Sequence, residues 1–379
     1  MFTGGLFNYA LVRPTRRGWM RPQARRLPET TWPWWSSVRS AAVFLAVLVL
    51  AAPATAARKI IYGVNDGNFA SAWATMAPRI AGLGLDQVGV WVRYRCANDN
   101  NGRLVGGLPT DLGQVPAFQP TLVQLVGSPS CSPRTPSQRS AYALFARELV
   151  LRYPQIRELQ VWNEPDLAFW SGSARNYVRL LAAVHDALRR TNVKVLGPGF
   201  SPHGLVQPCS CVQMNTASFA RAVRGFYRAN RHRRSPILDG FAYHPYQGFD
   251  HKTTDTLARI LDKSWSRLPQ PGPRRGLRFW WTETGAESLV SGAAVDEFGH
   301  RSDGYFGVPN HTLSLEFQAN RVATVALKAR AYKLVVADFN FQLGDDRNLA
   351  RWQSGLYFAG GQPKPAYFSF REAISRARR

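Results

Sequence analysis

From residue 59 onward, short β-rich runs alternate with longer stretches whose apolar residues recur at three- and four-residue spacing. This alternation is typical of βα units that build a parallel sheet, because each helix returns the chain to the start of the next strand. Eight strands are predicted, over residues 59–64, 87–94, 119–126, 158–163, 194–197, 238–244, 278–282 and 335–341. Helices are predicted between them, including residues 141–152, 177–189, 219–228 and 317–332.

Residues 58–379, 322 residues in all, contain eight βα units and therefore predict an α/β fold, the (β/α)8 or TIM barrel. A short basic tail is predicted at the C-terminal end. A doubly wound sheet would have fewer strands and a glycine fingerprint after the first strand. The sequence contains neither GxGxxG nor a phosphate-binding loop ending in GK and Ser or Thr. The weakest unit lies between the second and third strands, where a Gly- and Pro-rich segment shows no clear helix.

In a (β/α)8 barrel the chemistry is expected at the C-terminal ends of the strands. Glu164 follows the fourth predicted strand and Glu283 follows the seventh, so the two side chains are expected to face each other across the barrel mouth. Cleavage of a glycosidic bond requires two carboxyl groups on opposite sides of a cleft. The spacing alone leaves open the alternative that both residues are helix caps or surface acids.

Two motifs, Trp-Asn-Glu-Pro at residues 162–165 and Trp-Thr-Glu-Thr-Gly at residues 281–285, resemble those of glycoside hydrolase clan A. The likeness is closest to family 39 and its relatives, which include β-xylosidases, α-L-iduronidases and bacterial exopolysaccharide glycosidases. It covers essentially all of residues 58–379 and includes His-Pro-Tyr at 244–246 and the stretch 361–367 before the last helix. One departure is Phe-Asn-Phe-Gln at residues 339–342, where many clan members carry a Trp.

The resemblance implies a retaining double displacement in which Glu164 is the acid/base and Glu283 the nucleophile. Glu164 then needs a raised pKa, which a partly apolar site walled by Trp162 and Phe169 can supply. Glu283 must stay ionised, so a cation is expected beside it, and Arg93 at the end of the second strand is the candidate. The alternative reading of Arg93 is an ion pair at the edge of the core.

Four further residues are predicted to bind substrate or to support the carboxylates. Asn163 is expected to contact the sugar 2-hydroxyl, and Tyr246 to donate a hydrogen bond to Glu283. His244 is expected to orient this network or to touch the sugar, with a buried structural histidine as the alternative. Trp281 is expected in a sugar subsite.

Aromatic side chains crowd the predicted mouth, and sugar rings stack on such surfaces. About half of them are expected to be packing residues instead, because aromatic side chains form much of any barrel core. The set comprises Trp162, Phe169, Trp170, Tyr246, Trp280, Trp281, Phe341 and Trp352. Asp166 and Glu287 are interpreted as loop or cap groups, and Asn65 as a turn residue with a weaker claim to substrate contact.

The first 57 residues are predicted to be a targeting segment. An Arg-rich stretch precedes the apolar run 41–52 and the small residues 53–56, where a signal peptidase would cut near Ala56. About twelve apolar residues fall short of the roughly 20 that a membrane-spanning helix needs. Retention as a signal anchor is the alternative, and only in that case is a membrane a partner.

The formal net charge of +24 would first suggest a nucleic-acid partner. Seven Arg and Glu29 belong to residues 1–57, and the remaining +18 is dispersed without a block of five or six like charges. Dispersion argues against a nucleic-acid-binding arm and for a generally cationic surface. The substrate or its surroundings are therefore expected to be anionic.

Four cysteines, Cys96, Cys131, Cys209 and Cys211, suit an exported protein with two disulfides in any of three pairings. A bridge between Cys96 and Cys131 would join two loops near the early strands. Four unpaired buried thiols are the alternative. Residues 209–211 lack the two-residue spacing of a zinc knuckle, so no metal site is predicted.

The sequence therefore predicts a secreted or cell-surface retaining glycoside hydrolase that acts on a polysaccharide or oligosaccharide as a monomer. No metal, organic cofactor or nucleic acid is expected. The rival hypothesis is a carbohydrate-binding barrel without activity, which the presence of both carboxylates disfavours.

Overall fold

Eight parallel β-strands form one sheet in the order β5-β4-β3-β2-β1-β8-β7-β6. A computed structural model describes residues 58–96, 108–201, 214–246, 251–265, 278–288, 314–347 and 352–379. The strands are β1 (Ile61–Asn65), β2 (Gln87–Tyr94), β3 (Thr121–Gly127), β4 (Ile156–Val161), β5 (Lys194–Leu196), β6 (Phe241–Tyr243), β7 (Phe279–Thr284) and β8 (Val335–Phe341). Two isolated parallel bridges, Leu196 to Gly240 and Phe200 to Tyr243, join the β5 and β6 edges and close the sheet. The protein thus has the predicted (β/α)8 TIM-barrel fold.

Helices surround the sheet, and several begin at residues that cap the free backbone N–H groups of the first turn. Within the described ranges these are α1 (Phe69–Ala81), α2 (Pro136–Arg152), α3 (Ala174–Leu188), α4 (Thr216–Ala229), α5 (His251–Trp265), α6 (Leu315–Ala331) and α7 (Pro365–Arg378). Thr135 and Gln138 form a capping box at α2, and Asn215 and Ser218 form one at α4. Between β2 and β3 the described residues hold only a short 3-10 helix, Asp111–Gln114, as the Gly- and Pro-rich sequence suggested.

The barrel interior changes from apolar to polar toward the C-terminal ends of the strands. Leu122, Ala242, Trp280 and Phe339 belong to a small apolar cluster inside the sheet. Two residues farther along their strands, on the same face, stand the buried Gln124 and His244. The larger apolar cluster packs between the sheet and the helices. The fold therefore places a buried polar layer at one end of the barrel.

A disulfide between Cys96 and Cys131 joins the end of β2 to the short helix after β3. Cys209 and Cys211 lie outside the described residues, as does the predicted targeting segment 1–57. All described residues belong to the unit Ala54–Arg379. Among them, the structure holds no helix with the length and hydropathy required to span a bilayer.

Candidate active site

Glu164 is carried by a turn of unusual backbone conformation directly after β4. Trp162 has φ 66° and Glu164 has φ 37°, in the left-handed region that L-residues rarely adopt. Trp162 is fully buried, and its indole N–H donates to the Phe169 carbonyl at 2.9 Å. Such conformations persist where the surrounding packing enforces them, and they concentrate at functional sites. The packing of Trp162 thus fixes the direction of the Glu164 side chain.

Glu283 reaches the barrel mouth because β7 contains a bulge. Trp281 pairs with Asp338 and Thr284 pairs with Asn340, so three steps along β7 oppose two along β8. In a regular strand, Glu283 would share the face of Trp281, which packs in the helix-facing cluster. The bulge shifts the alternation of faces by one residue, so Glu283 faces the barrel interior. There its carboxylate accepts a hydrogen bond from the Tyr246 hydroxyl at 2.5 Å.

One imidazole lies between the two carboxyl groups. His244 Nδ1 is 3.0 Å from Oε1 of Glu164 and 3.6 Å from Oε2 of Glu283. On the other side of the ring, the Gln160 amide nitrogen is 3.5 Å from Nε2 and also donates to the Trp162 carbonyl at 3.1 Å. An amide donor facing Nε2 assigns the ring proton to Nδ1, toward the carboxyl groups.

The backbone beneath this ring must leave room for it. Gly199 has φ 63°, and a Cβ at this position would lie 2.4 Å from the Gln160 side chain and 3.3 Å from His244 Nε2. Glycine alone satisfies both the conformation and the space. The loop after β5 therefore supports the histidine through a close backbone contact.

Burial shifts the pKa values of the site's titratable groups, upward for the carboxyl groups and downward for the imidazole. It raises the pKa of Glu164 to about 8, so this carboxyl holds its proton at neutral pH. Burial also raises the pKa of Glu283, as does the charge of Glu164, but His244 and the Tyr246 hydroxyl lower it. Burial lowers the pKa of His244, which keeps the imidazole neutral. On balance the pKa of Glu283 is raised, and the contacts with His244 and Tyr246 limit that rise.

Asp166 is a buried structural group next to the site. Its carboxylate accepts hydrogen bonds from the Ser201 backbone N–H at 3.0 Å and from the Ser201 hydroxyl at 2.8 Å. Burial, and next the charge of Glu164, raise its pKa well above the usual range. Asp166 was interpreted from the sequence as a loop or cap group; the structure shows that it ties the turn bearing Glu164 to the segment after β5.

Aromatic rings form one wall beside Glu283. Tyr246 stacks on Trp352 with ring centroids 5.2 Å apart, and Phe341 contacts both rings. Trp91 on β2 stacks on Phe341 at 5.7 Å. Among the described residues, the buried Trp91 indole nitrogen and the buried Asn163 Oδ1 have no hydrogen-bond partner. The wall thus offers apolar faces, and the site holds a spare donor and a spare acceptor.

The structure does not bring every predicted residue to this place. Trp281 is only 2% exposed and packs toward the helices, so the expectation of a substrate contact is wrong. Arg93 is exposed and forms no ion pair with Glu283 among the described residues; His244 is the basic side chain beside that carboxylate. Phe169 is 42% exposed, which leaves Trp162 as the buried ring near Glu164. Glu164, Glu283, His244 and Tyr246 do converge, with Asn163 next to Glu164 in the chain.

Three residues near the site were not predicted, namely Trp91, Gln124 and Gln160. Gln124 donates toward Gln160 Oε1 at 3.4 Å, and it lowers the pKa of Glu283, although Glu283 Oε1 has no hydrogen bond of normal geometry among the described residues. A polar residue within an otherwise apolar strand is the signal that could have identified both glutamines. Asn65, read as a turn residue, is buried and donates to the Thr282 carbonyl at 3.0 Å, so it joins β1 to β7.

No protein-family model matches the chain, and no curated protein matches it in sequence. Solved structures do match in fold. GH5_18 from Streptomyces cattleya in complex with GlcNAc matches with a TM-score of 0.55 and 17% identity, over 85% of this chain and 81% of that one.

Two larger proteins also match. A GH2 β-galacturonidase from Eisenbergiella tayi bound to galacturonate has a TM-score of 0.50 and 12% identity, over 84% of this chain and 51% of that one. The β-glucuronidase from Ruminococcus gnavus has a TM-score of 0.49 and 13% identity, over 83% and 50% respectively. This chain thus spans about half the length of both proteins. The structural neighbours are glycoside hydrolases, and the likeness at these identities establishes the barrel fold.

Proposed function

We propose that this protein is a retaining glycoside hydrolase in which Glu164 is the general acid/base and Glu283 the nucleophile. The observation that carries the proposal is the convergence of the Glu164 and Glu283 carboxyl groups on His244, with Glu164 protonated at neutral pH and Tyr246 donating a hydrogen bond to Glu283. The clan A motifs at residues 162–165 and 281–285 support the same roles, and the likeness to family 39 rests on these motifs together with residues 244–246 and 361–367.

The geometry favours retention over inversion. Since His244 Nδ1 lies 3.0 Å from the Glu164 oxygen and 3.6 Å from the Glu283 oxygen, these two oxygens can be at most about 6.6 Å apart. Retaining enzymes hold their carboxyl groups about 5 to 5.5 Å apart, whereas inverting enzymes need roughly 6.5 to 9.5 Å to admit a water molecule. The upper limit reaches only the lower edge of the inverting range.

In the proposed reaction, Glu283 attacks the anomeric carbon while Glu164 donates its proton to the departing glycosidic oxygen. The resulting glycosyl ester leaves Glu164 ionised, and Glu164 then removes a proton from the water that attacks the same carbon. Tyr246 stabilises the Glu283 carboxylate before attack, and Asn163 Oδ1 is available to accept a hydrogen bond from a sugar hydroxyl. Trp91 and Trp352, the two partly exposed rings of this wall, supply stacking faces for sugar rings.

The test uses an activated aryl glycoside with azide as an external nucleophile. Glu283→Ala should abolish hydrolysis, and azide should restore turnover to a glycosyl azide of inverted configuration, because the anion attacks directly from the vacated side. Glu164→Ala should lower the hydrolysis rate by roughly 10²- to 10⁴-fold. With azide it should form a product of retained configuration, because azide attacks the ester on Glu283. Product configuration is read by NMR.

Glu148→Ala serves as the matched control, since Glu148 is an exposed glutamate on α2 and its loss should leave the rate unchanged. Restored turnover with the two configurations exchanged would reverse the assigned roles. Full activity of either active-site variant would contradict the mechanism.

We further propose that the substrate is a glycan and that the protein acts outside the cytoplasm. The Cys96–Cys131 disulfide supports an oxidising compartment, because such bonds are rarely stable in a reducing cytosol. The apolar run 41–52 supports export.

A further inference from the structure

A long groove lies on the outside of the barrel between α3 and α4. It encloses about 800 Å³ and extends from Ser173, at the start of α3, to Asn230, just after the end of α4. A helix of 14 residues spans roughly 20 Å, so the groove is long enough for an extended chain. Ser173 and Ser218 lie at the N-terminal ends of the two helices, and in a (β/α)8 barrel these ends are on the face that carries Glu164 and Glu283.

The groove is cationic and its charge is not neutralised. Arg175 and Arg179, one turn apart on α3, face Arg221 on α4 across it. All three side chains are exposed, none forms an ion pair with a described residue, and no acidic residue lines the groove. The pKa of the neighbouring Arg139 is lowered by burial and by the positive charge of Arg179.

The acidic residue of α3 near the far end of the groove is already paired. Asp186 accepts two hydrogen bonds from Arg233, each 2.8 Å long. The same guanidinium lies 5.6 Å from the ring centre of Phe226, which lines the groove. Asp186 therefore does not offset the charge of the three arginines.

The side of the groove formed by α4 contains an unexplained glycine. Gly225 lies inside the helix, its φ is not in the left-handed region, and a Cβ built on it would meet nothing within 4 Å. Glycine inside a helix lowers stability relative to alanine. Neither backbone conformation nor packing requires it here, and its effect is to keep the groove wide beside Arg221.

We propose that this groove binds a segment of an acidic polysaccharide, with Arg175, Arg179 and Arg221 pairing with carboxylates of the polymer. The inference rests on the proposed function for its choice of polymer, since the groove opens on the face where glycan cleavage is proposed. Arginine suits this role because its planar fork binds carboxylates in bidentate geometry. A single-stranded nucleic acid fits less well, because such ligands require exposed stacking platforms and Phe226 is half-buried beneath Arg233.

The test measures binding of polygalacturonate oligosaccharides to the full chain carrying Glu164→Gln, which prevents cleavage during titration. Adding Arg175→Gln, Arg179→Gln and Arg221→Gln together should raise Kd roughly tenfold and weaken its dependence on salt. The matched control is Arg157→Gln, Arg189→Gln and Arg190→Gln, three exposed arginines outside the groove, with the same change in net charge. It should change Kd less than about twofold.

Two variants test shape without altering charge. Gly225→Leu should weaken polygalacturonate binding by filling the groove, whereas Gly225→Ala should leave most of the space free and bind nearly normally. Equal loss of affinity in both arginine triples would overturn the proposal in favour of a general charge effect. Absence of polygalacturonate binding would also overturn the proposal. So would DNA binding that is equally tight and that is weakened by Arg175→Gln, Arg179→Gln and Arg221→Gln to the same extent as polygalacturonate binding.

A second readout separates this proposal from the proposed function. With Glu164 restored, the variant that carries Arg175→Gln, Arg179→Gln and Arg221→Gln should hydrolyse the aryl glycoside with unchanged kcat/KM. That small substrate does not reach the groove. Failure of hydrolysis in the unmodified chain would refute the glycosidase assignment and leave the polygalacturonate measurement intact.

Discussion

Tyr246 acts on Glu283 through one hydrogen bond, and its loss isolates that effect. Tyr246→Phe removes a donor to the ionised carboxylate, so the pKa of Glu283 should rise. Hydrogen bonds to charged groups contribute about 1.5 to 3 kcal/mol, equivalent to roughly one to two pH units. The acidic limb of the kcat/KM profile should therefore move upward by that amount, while the alkaline limb, set by Glu164, stays near pH 8.

Tyr153→Phe, remote from the site, provides the control, because its hydroxyl donates to the Pro109 carbonyl on another part of the barrel. An acidic limb that does not move in Tyr246→Phe would show that the hydroxyl does not stabilise the Glu283 carboxylate.

At the scale of single residues, the residue types at the strand ends were enough to locate the site, but the direction of each side chain could not be read from the sequence. Glu164, His244 and Tyr246 could be located because the ends of β4 and β6 carry polar residues in otherwise apolar sequence. Trp281 was misplaced because the β7 bulge depends on pairing with β8, which the sequence of β7 alone does not specify. Arg93 lies on the face of β2 that the alternation predicts, but its side chain is exposed to solvent. From one backbone position, a long flexible side chain can reach either a nearby carboxylate or solvent.

At the scale of elements, β2 and β8 match the predicted bounds, while β5 and β6 contain only three residues each. Both short strands lie where the sheet closes by isolated bridges, so regular pairing ends early there. The sequence pattern predicts extended chain but not how much of it finds a partner. Residues 238–240, predicted as part of the sixth strand, precede β6 for this reason.

The loops after β7 and β8 are held together by a buried ion pair. Lys364, at the start of α7, is fully buried and lies 2.6 Å from Oδ2 of Asp345. Its ammonium also donates to the Ser288 hydroxyl and to the Gln353 carbonyl. Gln353 follows Trp352, so this network supports one wall of the candidate active site.

Lys364→Met should lower the free energy of unfolding by about 3 to 5 kcal/mol, because it leaves the Asp345 carboxylate buried without its cation. The additional change Asp345→Leu should recover a large part of that loss. Urea unfolding gives both values, and Lys333→Met, at an exposed lysine, serves as the control. Additive losses in the double variant would show that the two side chains do not interact.

Across the whole molecule, burial raises the pKa of several carboxyl groups. Glu164 reaches about 8 and Asp338 about 7, and Glu283, Asp166, Asp66 and Asp345 shift in the same direction. Each group binds its proton more tightly in the folded chain than in the unfolded one. Between the unfolded and folded pKa values, stability must therefore fall as pH rises.

The free energy of unfolding should accordingly be greater at pH 5.5 than at pH 8. A single such group contributes a slope of about 1.4 kcal/mol per pH unit within its window. Glu164→Gln removes one of them and should reduce the slope by about 1.4 kcal/mol per pH unit between roughly pH 5.5 and 7, with a smaller reduction as the pH approaches 8. Urea unfolding at four pH values gives the slopes, and an unchanged slope in the variant would contradict the raised pKa of Glu164.

The β7 bulge has a further consequence for how this barrel tolerates change. The direction of Glu283 depends on the pairing of the next residue, Thr284, with Asn340. In a regular register Glu283 itself would lie opposite Asn340, and its carboxylate would turn toward the helices. The active-site carboxylate is therefore controlled by the register of β7 on β8: a substitution that keeps this pairing leaves Glu283 in place, whereas a slip of one residue removes it from the site.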